Sequence, residues 1–189
     1  MVSVEVVIRD FSERASSREI GIFVASCAER MAQLFTGLIG SDVARPQDVE
    51  LVIRCLDVLW LPNPLRSSLE EMVGQIGSFP ELMGDEEPLG LMAYAYDAVA
   101  TLYYAARYQT GGDLTDVISC SNHALDSASH VSDELDDGVD RYEIESRNQK
   151  ADMAILLRLH GSDGRDSVQV IRDRARELSR ERLFELTGV

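Results

Sequence analysis

Four residues in the second half of the chain have the types and spacing of a metal-binding face. His123, Asp126, His130 and Glu134 recur at intervals of three, four and four, so a helix would present two imidazoles and two carboxylates along one side. Such donors suit zinc, manganese or iron. At about 100° per residue the same positions lie opposite the apolar stripe of Ile118, Leu125 and Ala128, which makes them a solvated face. One exposed helix cannot surround an ion, so the metal reading requires ligands from another helix. No E-x-x-H pair accompanies them, which leaves a ferritin-like carboxylate bundle unsupported.

A second constellation is Tyr94, Asp97, Thr101, Tyr104 and Tyr108, spaced three, four, three and four, a continuous polar-aromatic stripe on one helix. Tyrosine joins a large apolar body to a polar tip, so the stripe suits a ligand or partner groove. It equally suits a second core face on which the hydroxyls donate to the Asp97 carboxylate. Asp57 borders a broad apolar arc beside Glu50 and Arg54, where a pairing with Arg54 or a contact with another helix accounts for it. Cys120 and His123 share a turn as a conceivable nucleophile and base, but no orienting third group follows from the sequence. There is no G-x-S-x-G frame, no phosphate-binding G-x-x-x-x-G-K-[ST] loop and no cofactor motif.

The elements that must position these residues read as helices. Ser16 and Glu19 form a capping box ahead of Ile20, Phe23, Val24, Cys27, Met31, Leu34, Phe35 and Leu38, with an end near Gly40. A second helix starts near Pro46 and runs to Leu61, apolar nearly all round and stopped by Pro62 and Pro64. Asn63 and Pro64 open a third, carrying Leu65, Leu69, Met72, Val73 and Ile76, before an acidic, mobile loop from Gly77 to Glu87. An Ala-rich fourth runs from Pro88 to about Tyr108, with Leu91, Val99 and Leu102 on one side and Gly111 and Gly112 at its end. Asp113 caps a fifth that frays into Asp133 to Asp140.

A sixth helix, Arg141 to Leu159, has Ile144, Ala151, Ile155, Leu156 and Leu159 as its core side and closes at a Gly161 to Gly164 turn. The seventh turns Val168, Ile171, Ala175, Leu178 and Leu186 inward. Its arginines, Arg172 to Arg182, alternate with acids on a solvated, ion-paired face. Only the start departs from this theme, since Val2, Val4, Val6 and Ile8 alternate like a strand. The expectation is an all-α single domain over 1–189: a bundle of six to seven helices in 16–187, with residues 1–15 as an extended segment.

At 189 residues one core suffices, since a chain of this size buries about 70% of its unfolded surface. Cys27, Cys55 and Cys120 are odd in number and far apart, which excludes a disulfide framework and a zinc knuckle and leaves buried thiols. No leader pattern opens the chain and no apolar run approaches the roughly 20 residues of a membrane span, so a cytoplasmic location is expected. The formal charge of −15 speaks against nucleic acid and anionic membrane as partners and favours a basic protein. Most of that charge is local. Glu81, Asp85, Glu86 and Glu87 form one acidic segment, and Asp126 to Glu145 sets eight acids against Arg141.

Three segments resemble the bacterial YjaG family, an all-helical group without an assigned activity: Phe23-Val24-Ala25-Ser26-Cys27-Ala28-Glu29-Arg30-Met31, Ile53-Arg54-Cys55-Leu56-Asp57-Val58-Leu59-Trp60, and Tyr96-Asp97-Ala98. The likeness covers Glu19 to Ser129. It implies a helical domain and no catalytic residue. Glu29, Arg30, Asp57 and Asp97 are the charged residues within its motifs, and an internal pair of Arg30 with Asp57 or Asp97 is the expected structural role.

Three functional expectations follow. The first is a non-enzymatic acidic module, of the inhibitor or immunity type, that engages a basic protein through Asp133, Glu134, Asp136 and Asp137, with Tyr94, Asp97 and Tyr104 as further contacts. The second is a metal-binding protein or metal-dependent enzyme built on His123, Asp126, His130 and Glu134. The third is a symmetric oligomer assembled through the Tyr94 to Tyr108 stripe.

Overall fold

A computed structural model of the chain describes residues 3–40, 42–84, 90–159 and 165–188. Among them are nine α-helices and no strand: α1 (Val4–Arg14), α2 (Ser17–Ile39), α3 (Pro46–Leu59), α4 (Arg66–Ile76), α5 (Pro80–Met83), α6 (Leu91–Gln109), α7 (Leu114–Leu135), α8 (Arg141–Leu159) and α9 (Arg165–Thr187). The protein is therefore an all-α bundle, as expected, with somewhat more helices among the described residues than the six to seven expected. Of the expected boundaries, Pro88, Asp85 to Glu87 and the Gly161 to Gly164 turn lie outside the described residues.

The bundle is organised around α2. Its capping box forms as the sequence requires: Ser16 Oγ accepts from the Glu19 amide at 3.3 Å and Glu19 Oε2 accepts from the Ser16 amide at 2.6 Å. The helix then touches α3, α6, α7, α8 and α9. By length and composition α2 could cross a membrane, contrary to the expectation that no segment approaches that length. However, 78% of its apolar window is buried within the protein. Helix α9 comes close at Gly37, where a Cβ would stand 2.5 Å from a methyl of Leu183.

The N-terminal segment is helical, not extended. Val4, Ile8 and Phe11 are buried at helical spacing while Val6 is exposed, so the period of 3.6 governs and the valine alternation does not. Ser3 caps α1, Glu5–Arg9 and Asp10–Arg14 pairs lie along its outer face, and Phe11 meets Phe23 edge-on at 5.7 Å. A strand here would have had no partner.

The expected loop after α4 contains the short helix α5, and its Glu81 is buried. Arg45 grips Glu81 through two bonds of 2.6 and 2.9 Å while lying over the rings of Phe35 and Phe79. Helix α4 is capped without a side-chain bond from Asn63, since Leu65 holds the N-cap position. Helix α7 does not fray into the acidic run. Asp136 takes a left-handed cap with φ 43°, and Asp137 bonds both terminal nitrogens of Arg141 at 2.8 and 2.7 Å, tying the turn to the first residue of α8.

Helix α8 departs furthest from expectation. Its buried side consists of Arg141, Glu145, Ser146, Gln149, Asp152, Met153 and Leu156, while Ile144 is exposed. The apolar pattern failed because α8 packs a polar face inward, against charges supplied by α2 and α9.

Candidate functional site

Arg30 stands at the middle of α2 with none of its side chain exposed. Its Nε donates to Glu145 at 3.0 Å and its Nη1 to Asp152 at 2.6 Å, so two carboxylates of α8 share one guanidinium. Each acid has a second cation from α9: Arg182 reaches Glu145 at 3.1 Å and Arg174 pairs with Asp152. The remaining lone pairs are also used, by Ser26 on Asp152 at 2.9 Å and by Gln149 on Glu145 at 3.1 Å, with Gln149 in turn bonded to Ser121 of α7 at 2.6 Å. Burial opposes the Arg30 charge, and Glu145 and Asp152 outweigh it, holding the guanidinium pKa above the usual arginine range. This cluster binds four helices together and is fully hydrogen-bonded within the protein.

The expected partners of Arg30 are thus replaced. Asp57 is on the surface and pairs with Arg172 at 2.5 Å and Arg176 at 3.8 Å, not with Arg54 or Arg30. The same two arginines reach Glu29, which also accepts from Trp60 Nε1 at 2.7 Å, and Arg172 lies 5.5 Å from the Trp60 ring. The arginine face of α9 is therefore largely directed at acids of α2, α3 and α8. Its charge alternation looked solvated because those partners are distant in sequence.

The two polar constellations on α6 and α7 converge into one site. Asp97 is 2% exposed, and its two oxygens are each occupied by an imidazole of α7, His123 Nδ1 at 3.1 Å and His130 Nδ1 at 3.2 Å. A carboxylate oxygen accepts, so each contact is a hydrogen bond in the tautomer that places the hydrogen on Nδ1. Around them Tyr104 stacks on His123 with centroids 5.6 Å apart, Tyr96 meets His123 edge-on, and Tyr94 Oη donates to the His130 carbonyl at 3.2 Å. The histidines, and not the tyrosine hydroxyls, satisfy Asp97. Thr101 Oγ1 donates to the Asp97 backbone carbonyl, and Tyr108 lies away from the cluster, lining a cleft with Ser17.

This arrangement corrects several expectations. The His123 and His130 face is not simply solvated, because α6 packs against it and His123 is only 19% exposed. Nor does it build the four-ligand metal set. Among the described residues no group of three or more His, Cys, Asp or Glu side chains is placed to hold an ion; both Nδ1 atoms are directed at Asp97, and Glu134 is exposed. Tyr94 and Asp97 are buried in the α6–α7 seam, so neither offers an outer surface for a partner or for a second copy, and Tyr104 is half-buried. Cys120 has turned away from His123. Its Sγ donates to the Val24 carbonyl at 3.7 Å, and burial pushes the thiol well above its usual range, which disfavours the reactive thiolate.

At the open end of the seam α7 carries its acids outward. Asp133, Glu134 and Asp136 are exposed and have no ion-pair partner among the described residues, while Asp137 serves Arg141. The first two are close enough to Tyr94 to add to the effect of burial in raising its hydroxyl above the usual range. Sequence reasoning found this segment and missed Glu145, Gln149 and Asp152. Their spacing of four and three was the available signal, hidden because a polar stripe ordinarily faces water.

Fold and site together define a single-domain helical bundle that buries Arg30, Arg141 and Arg182 among its own carboxylates and leaves Asp133, Glu134 and Asp136 exposed. Comparison with known family models, curated proteins and solved structures finds no match.

Proposed function

We propose that the protein is a non-enzymatic acidic binding module, of the inhibitor or immunity type, which receives a basic protein at the C-terminal end of α7. The observation that carries this reading is the division of charge. Arg30, Arg45, Arg141, Arg172, Arg174 and Arg182 are engaged by the protein's own carboxylates. Asp133, Glu134 and Asp136 stand exposed without such partners among the described residues. A field of one sign on a surface steers an oppositely charged partner and raises its association rate. The turn that presents that field is tied to the bundle by Arg141, which donates to both Asp137 and Glu185.

The test is capture of a partner from cells, followed by association kinetics with the purified pair. Association should slow steeply as salt rises, and Asp133→Lys/Glu134→Lys/Asp136→Lys should abolish capture with the melting temperature unchanged. Capture that is insensitive to salt, or that survives the triple reversal, counts against this assignment.

A further inference from the structure

A second feature lies away from the acidic turn, where the first turn of α2, the Trp60 to Pro64 connection and the end of α6 enclose a cleft of about 480 Å³. That volume falls in the range of sites for small organic molecules, roughly 300 to 1,000 Å³. Its floor is apolar, formed by buried Ile22 and Leu59, with Trp60 and Tyr108 as aromatic walls. Its charge is unlike that of the rest of the molecule. In a chain with 33 acidic residues, no Asp or Glu among the described residues lines the cleft, and the one charged residue among its described lining is Arg18. Arg18 has no ion-pair partner among the described residues, whereas most arginines of this protein are paired.

Polar groups in the cleft are oriented as well. Gln109 Nε2 donates at 3.1 Å to two carbonyls, those of Gly21 and Leu59, which fixes the amide and spends its donors. Its Oε1 accepts from no described residue and is left as an acceptor for a donor in the cleft. Gly21 permits this: a Cβ there would stand 3.3 Å from Gln109 Nε2 and crowd the amide.

We propose that this cleft binds a small planar organic acid that carries an N–H donor. Its anionic group meets Arg18, its apolar body lies over Ile22 and Leu59 beside Trp60, and its donor meets Gln109 Oε1. An exposed cation with no ion-pair partner among the described residues, at a cleft that no described carboxylate lines, favours an anion over a neutral molecule. The site is separate from the acidic surface at the end of α7, and either assignment stands without the other.

Trp60 is the only tryptophan in the chain, so its fluorescence reports on this cleft directly. Indole-3-acetate absorbs with tryptophan, so the titration uses 4-acetamidobenzoate, 4-acetamidophenyl phosphate and, as the uncharged isostere, 4-acetamidobenzamide. Each is corrected for inner-filter absorption with free tryptophan, and binding is read in parallel by ligand-observed NMR saturation transfer. The expected result is saturable binding of the two anions, at least tenfold weaker binding of the amide, and loss of anion binding in Arg18→Glu with the helical circular dichroism retained. Arg18→Lys should keep most of it. No saturable signal with either anion up to millimolar concentration overturns the proposal. So does equal binding of the neutral amide, or undiminished binding by Arg18→Glu.

Discussion

Removing Arg30 and removing Glu145 should have unequal effects, although the two side chains bond each other. Breaking a fully buried ion pair by deleting one partner costs about 3 to 5 kcal/mol, because the survivor is left without compensation. In Arg30→Met the survivors are Glu145 and Asp152, and each keeps a guanidinium from α9, Arg182 at 3.1 Å and Arg174. The loss should therefore lie near 3 kcal/mol. In Glu145→Leu, Arg30 keeps only Asp152, and Arg182 keeps no carboxylate at a position 7% exposed, so the loss should approach 5 kcal/mol. For a chain of this size each kcal/mol lowers the melting temperature by about 2 to 4 °C. The expected falls are thus roughly 6 to 12 °C for Arg30→Met and roughly 10 to 20 °C for Glu145→Leu.

Urea unfolding followed by circular dichroism measures both, and the double variant should lose less than the sum by about 1 kcal/mol or more, since the sites are coupled. Equal losses, a larger loss for Arg30→Met, or a pair of losses under about 1 kcal/mol would refute the view that α9 supplies the second cation to each acid.

Asp97→Asn should weaken the α6–α7 seam by about 1.5 to 3 kcal/mol, the range for hydrogen bonds to a charged group, and shift the ¹⁵N signals of both His123 and His130. Movement of only one imidazole would contradict a shared carboxylate. Burial pushes the Cys55 thiol up to about 12 and the Cys120 thiol well above its usual range. Both should resist iodoacetamide near pH 8 in the folded protein and react after denaturation, as counted by mass spectrometry. The Arg141 guanidinium holds the Asp137 carboxyl well below the usual carboxylate range, so its folded pKa is depressed relative to the unfolded chain. Its stabilising contribution is complete above about pH 4 and is lost as pH falls toward the folded value. The difference in stability between wild type and Asp137→Asn should accordingly be present at neutral pH and shrink under acid.

Most helices could be read from the chain because their signals are local. Ser16 with Glu19, Asp113, and Pro46 at a first-turn position act within one turn of backbone, so α2, α3 and α7 begin where those residues put them. The cores of α2 and α6 were legible for the same reason, since an apolar stripe needs no knowledge of its partner. The N-terminal segment was misread because four residues fit two periods, and contact of Ile8 and Phe11 with the bundle decides between them.

Only the tertiary structure could decide which charges meet. Arg30 finds its acids more than a hundred positions away, and Asp97 finds its two imidazoles on the next helix, at separations of 26 and 33 residues. A polar residue in a sequence carries the same letter whether it faces water or an opposite charge. Its free energy differs greatly between the two, because an unpaired charge is expensive to bury and a fully bonded one is not. The sequence therefore determined most of the helices, though not α1 or α5, and the location of the net charge along the chain. Packing around α2 determined that Arg30 and Arg182 turn inward onto Glu145 and that the carboxylates at the end of α7 remain outside.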